Sequence, residues 1–141
     1  MFHRLRRWVF PSKAAGHPTP ENPDPLTFWN FFTKIAPFSD RFFDAEHRQV
    51  HWSLEMLGIH PDHQNKGVGR ELVSWGFNLA RSDPDGDLPV VVIAAFDKEG
   101  FYQKVGFKEL VGWISREPAK DGKDNPLQQN GVGGAAVLWT K

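Results

Sequence analysis

The chain contains no cysteine, which excludes disulfides, zinc-thiolate centres and thiol nucleophiles together and is compatible with a reducing compartment. It has no excess of either charge, since Lys plus Arg number 17 and Asp plus Glu number 17. No global field recruits nucleic acid or an anionic membrane, so any anion binding has to be local. No apolar run approaches the roughly 20 residues that span a bilayer. The expectation is a soluble, cytoplasmic protein with neither nucleic acid nor membrane as a partner. Before Glu21 there is no acid at all, while Arg4, Arg6, Arg7 and Lys13 are present. That bias is shared with mitochondrial presequences, although the apolar core of a secretory signal is missing. The plainer reading takes Leu5, Trp8, Val9 and Phe10 as the tail of an element covered by more chain.

What is present argues for a folded domain with irregular parts. Forty per cent of the 141 residues are apolar, with six Trp and twelve Phe, which is too much for wholesale disorder. Eleven Pro and thirteen Gly point to long segments without regular structure. From Pro11 to Pro25 the density of Pro, Gly, Asn and Asp forbids a continuous helix or central strand. Phe28, Phe31, Phe32 and Ile35 approximate helical spacing, and Pro37 predicts the end of that helix. Residues 1–49 therefore read as an irregular segment with one short helix, and residues 50–141 as the main domain.

Residues 50–59 alternate as a strand does, with Trp52, Leu54 and Met56 on one face and Ser53, Glu55 and Leu57 on the other. A loop, Gln64-Asn65-Lys66-Gly67-Val68-Gly69, follows. Next, Val68, Leu72, Trp75, Gly76 and Leu79 recur at the spacing of one buried helical stripe. Residues 82–87 carry dense turn chemistry. Pro89 to Phe96 is an uncharged, β-branched run of the kind covered on both faces. Strand, helix and buried strand make a right-handed βαβ unit with parallel strands, whose carboxyl ends favour ligands. A short helix over 98–105 closed by Gly106, a strand over 107–115, a long exposed loop over 116–134 and a strand over 135–140 complete the chain, the last two strands pairing antiparallel.

The order strand, glycine loop, helix builds an anion site. The first N–H groups of a helix lack intrahelical partners, and the macrodipole places partial positive charge there. Gly67 and Gly69 let the loop turn tightly and let a ligand touch backbone. Neither a Rossmann fingerprint, which wants a third glycine where Leu72 stands, nor a P-loop, which wants Gly-Lys-Ser/Thr, fits. The pairs His47/His51 and His60/His63 have spacings seen in metal sites, but one spans a loop-to-strand junction and the other flanks Pro61, so no metal is expected.

The run from Leu57 through Gly76 resembles the coenzyme A-binding motif of the GNAT acetyltransferase superfamily, whose loop reads Gln/Arg-x-x-Gly-x-Gly/Ala. Gly100-Phe101-Tyr102-Gln103-Lys104-Val105-Gly106-Phe107 resembles that superfamily's later motif, in which a Tyr on a short helix precedes Gly-Phe. The wording around the loop is most similar to the fungal branch. The resemblance implies an α/β fold of the GNAT-like acyl-CoA N-acyltransferase type, with a mixed central sheet and flanking helices. It also implies acetyl-CoA as co-substrate, its pyrophosphate over Gln64, Asn65, Lys66, Gly67, Val68, Gly69 and Arg70, and its pantetheine arm along the backbone of Leu57, Gly58 and Ile59. Tyr102 matches the general acid that protonates the departing thiolate. Glu55, on the strand leading to the site, is the candidate base, with an ion pair at the sheet edge as the plainer alternative.

The implied activity is acetyl transfer to a primary amine, small-molecule or protein, by direct attack in a ternary complex. A second reading is a non-catalytic coenzyme A-binding or scaffold module. Family domains place three strands and two helices ahead of the strand ending at Ile59, and here the N-terminal strands read as incomplete. The expectation that follows is an exposed edge at residues 50–59, open to homodimerisation.

Overall fold

A computed structural model describes residues 4–7, 27–129 and 133–141, with side-chain placements from residue 33 onward. Its centre is a five-stranded mixed sheet: β1 (Arg4–Arg7), β2 (Val50–Leu54), β3 (Val90–Ala94), β4 (Glu109–Trp113) and β5 (Ala136–Trp139), in the spatial order β1-β2-β3-β5-β4. β1, β2 and β3 are parallel, and β5 runs antiparallel to both β3 and β4. The expected βαβ unit is present, with α2 (Val68–Arg81) between β2 and β3. The expected terminal hairpin is present too, but β5 lies between its partner and β3 and thereby joins the hairpin to the sheet.

The N-terminal segment departs from the expectation of irregular chain. β1 pairs with β2 from Arg4 opposite Val50 to Arg7 opposite Ser53. Residues 50–54 are therefore not a sheet edge, and the edge invoked for a homodimer is occupied by the chain's own first strand. α1 (Thr27–Ser39) also runs past Pro37. Proline cannot donate the i→i−4 bond there, yet Ile35 and Phe38 on either side of it are both buried. Their packing outweighs the break, and α1 passes directly into a 3₁₀ turn over Asp40–Phe42.

β3 accounts for both layers because alternate residues face opposite ways. Val90, Val92 and Ala94 join Leu54, Ala136 and Leu138 in a core completed by Val73, Phe77 and Ala80 of α2 and by Phe107. Val91 joins Val137 and Trp139 in a second core with Ile35, Phe38, Phe42, Ile114 and Leu127. Each fully buried side chain of this size contributes about 1.5–3 kcal/mol. Ile93 is an exception to the expected two-sided cover, being 44% exposed.

Two further expectations are corrected. The buried stripe of α2 is Val73, Gly76, Phe77 and Ala80, whereas Trp75 is 50% exposed and Leu79 lies at the surface. Both stripes have helical period, and the sheet selects the one carrying Phe77, whose ring meets Phe107 edge-on at 5.2 Å. Residues 116–134 are not featureless. Buried Asn125 donates through Nδ2 to the carbonyls of Ile114 (2.7 Å) and Glu117 (3.0 Å), and its Oδ1 accepts from Leu127 N–H. That network starts a short helix, α4 (Pro126–Gln129), whose Leu127 is buried.

Candidate functional site

β2 and β3 are paired only from Trp52 opposite Val90 to Leu54 opposite Val92. Beyond Leu54 the two strands share no ladder bonds, and residues 55–60 carry no regular structure. β3 continues to Ala94 with β5 alone. The carboxyl ends of two parallel strands thus part, which is where backbone groups of the first strand can serve a ligand. Leu57 and Ile59 are half-buried there, with Leu57 against the core, and Gly58 is exposed.

The next residues turn the chain into α2. His60 Nδ1 accepts from Asp62 N–H at 3.3 Å, opening a 3₁₀ turn over Pro61–His63. Gln64 Nε2 donates to Ile59 O at 2.9 Å, which ties the loop back to the strand. Asn65 (φ +58°) and Gly67 (φ +84°) both take left-handed backbone, and Gly67 is the N-cap of α2 without any side-chain cap. The first helical bond runs from Glu71 N–H to Gly67 O at 3.1 Å. The amides of Val68, Gly69 and Arg70 precede it and have no intrahelical acceptor. A Cβ on Gly58 or on Gly67 would meet nothing within 4 Å, so the space over both is open. Lys66 is exposed and donates through Nζ to Asp62 O at 2.7 Å, which holds its ammonium at the rim of the loop. A 14-residue helix with a glycine N-cap, uncapped amides and an adjacent lysine fits a diphosphate.

α3 (Glu99–Val105) closes the corner, and Gly106 at φ +128° ends it as expected. A Cβ on Gly69 would lie 3.2 Å from Phe101 Cζ and 3.9 Å from Ile59 Cγ1, so strand end, helix start and α3 converge on one point. Tyr102, the chain's only tyrosine, is half-buried beside it. Its ring meets Phe101 edge-on at 5.2 Å and Phe107 at 5.7 Å. Burial raises its pKa above the ordinary 10.0, so the phenol keeps its proton at neutral pH, as a donor must.

Family membership follows from the sequence matches. The family model of the acetyltransferase (GNAT) domain matches residues 34–109, more than half of the chain. The chain belongs to the GNAT acetyltransferase family. An uncharacterized N-acetyltransferase of Oceanobacillus iheyensis is 37% identical over 76 residues, covering 54% of this chain and 39% of its own length. The chain thus spans about two fifths of that relative. No solved structure matches.

Seen as a GNAT domain, the chain brings residues 57–59, 64–70 and Tyr102 to one end of the sheet. Glu55 lies one residue beyond the β2 ladder and is exposed, and among the described residues no cation pairs with it. His51 is buried with Nδ1 2.7 Å from Arg48 O, and the His60 and His63 rings are 6.0 Å apart. No group of three metal-ligating side chains occurs among the described residues. One GNAT-domain residue escaped the sequence reading. Glu99, one turn before Tyr102 on α3, has a buried Oε2 without a hydrogen-bond partner. Its i, i+3 relation to Tyr102 was the available signal.

Proposed function

We propose that this GNAT domain binds acetyl-CoA and transfers its acetyl group to a primary amine. When bound, acetyl-CoA supplies a thioester, an acyl donor activated toward nitrogen. The amides of Val68, Gly69 and Arg70, with Lys66 at the rim, hold the pyrophosphate, and the backbone of Leu57, Gly58 and Ile59 takes the pantetheine amides. Gln64 and Asn65 shape the loop, the first by its bond to Ile59 O and the second by its left-handed backbone. Tyr102 Oη gives its proton to the departing sulfur as the amine nitrogen bonds to the acyl carbon and the carbon–sulfur bond breaks. Glu55 accepts the surplus proton of the amine, directly or through water. No metal takes part in this scheme.

One observation carries the reading: an uncapped helix start, reached through a left-handed glycine, stands beside two parallel strands that have just parted. Isothermal titration with coenzyme A, run beside an acetylation assay on a broad amine panel, tests it. Binding with turnover supports the enzyme. Binding without turnover favours a coenzyme A-binding module, and absence of binding removes the proposal.

A further inference from the structure

A groove of about 410 Å³ lies between the start of α3 and the chain joining β4 to β5, lined by Phe96, Glu99, Trp113, Arg116, Leu127 and Gln128 among others. Glu99 lines the groove, while its Oε2 is withdrawn from solvent and has no hydrogen-bond partner. Burying that oxygen without a donor is costly, which keeps the Glu99 carboxylate in want of a hydrogen-bond donor. Arg116 lines the same groove, its guanidinium 4.0 Å from the centroid of the Trp113 ring. Stacking fixes the plane of that guanidinium and leaves its N–H edge for a planar acceptor. No ion pair joins Arg116 to Glu99 or to any other described acid, so the groove offers one anion and one cation separately. Phe96, 72% exposed, and Trp113 supply apolar surface to the groove. Glu99 is also one helical turn from Tyr102 on α3.

We infer that this groove receives the acetyl acceptor and that the acceptor is an aminocarboxylate, a small molecule carrying both a free amine and a carboxylate. Its ammonium donates to the Glu99 carboxylate, and its carboxylate takes the N–H edge of Arg116. The assignment of the ligand as an acceptor rests on the acetyltransferase reading, whereas the recognition of its two charges rests on the groove alone. Glu99 is an acceptor-binding group here, distinct from Glu55.

Acceptor binding by the intact chain, followed by NMR saturation transfer and titration with and without coenzyme A, tests the inference. The probes are a panel of aminocarboxylates, each beside its decarboxylated amine and its N-acylated form. Aminocarboxylates should bind best and the N-acylated forms should not bind. Glu99→Gln should weaken aminocarboxylates and decarboxylated amines alike by about tenfold or more. Arg116→Ala should weaken only the aminocarboxylates by a similar factor, and Arg116→Gln, which keeps the stem over Trp113, serves if the alanine variant does not fold. Coenzyme A affinity should be unchanged in all three. Absence of binding by every probe, indifference to Glu99→Gln, or an equal effect of the Arg116 variants on both series overturns the inference. If coenzyme A fails to bind while aminocarboxylates still depend on both residues, the groove stands and the acetyl-transfer reading falls. Acetylation that ignores both residues refutes the groove alone.

Discussion

Phe101 stands against Gly69 so closely that a Cβ at position 69 would be 3.2 Å from its Cζ. The contact locks the start of α3 to the start of α2, although 32 residues separate them in sequence. Gly69→Val should therefore lower stability by about 1–3 kcal/mol through overpacking, and adding Phe101→Ala should recover part of that loss. Urea denaturation of the two single variants and the double variant measures the coupling. Strict additivity would show that the ring is not what requires glycine.

Gly67 has a different reason to be glycine. Its φ of +84° costs a side-chain-bearing residue about 1–2 kcal/mol, but a Cβ there meets no protein atom. Gly67→Ala should lose about that much stability and weaken coenzyme A moderately. Gly67→Glu should abolish coenzyme A binding, by bulk in the open space and by like charge at the diphosphate. Titration calorimetry on the folded variants decides, and unchanged affinity in Gly67→Glu would remove the loop from the mechanism.

Tyr102→Phe should leave the melting temperature and coenzyme A affinity close to those of the parent, because the ring makes the packing contacts. Loss of a general acid should reduce kcat by about 10²-fold or more. Burial holds the phenol above its ordinary pKa of 10.0, so ionisation of Tyr102 should not depress activity at any pH below that value. A pH–rate profile falling through neutrality in the parent and in Tyr102→Phe alike would assign the limb to another group.

Acid stability has an identifiable contributor remote from this corner. Arg41 Nε donates to Glu117 Oε2 at 2.7 Å, and that hydrogen bond, with the accompanying charge attraction, holds the Glu117 carboxyl below its ordinary 4.5. A depressed carboxylate pKa contributes stability that is present above the ordinary value and is lost as pH falls through the folded one. Since the Arg41 side chain is 59% exposed, solvent screening limits the contribution to about 1 kcal/mol or less. Below pH 4.5 the parent's melting temperature should fall more steeply than that of Glu117→Gln. Parallel curves would place the acid sensitivity elsewhere.

The sequence by itself determined what depends on local rules. Glycine and left-handed backbone at the head of α2, the β-branched run of β3, and Gly106 closing α3 are each set by neighbours in the chain, through steric freedom, β-branching and capping. The two motifs were legible for the same reason, since a loop that presents backbone to an anion needs residues without side chains at fixed spacing. The tertiary structure alone decided what depends on partners distant in sequence. It covered β2 with β1 and carried α1 through Pro37 by burying Ile35 and Phe38. It rotated α2 onto Val73 and Phe77, because two stripes of equal period can be distinguished only by the surface they meet. It also withdrew one oxygen of Glu99 from water, since an isolated carboxylate in a sequence has no burial until the chain around it has folded.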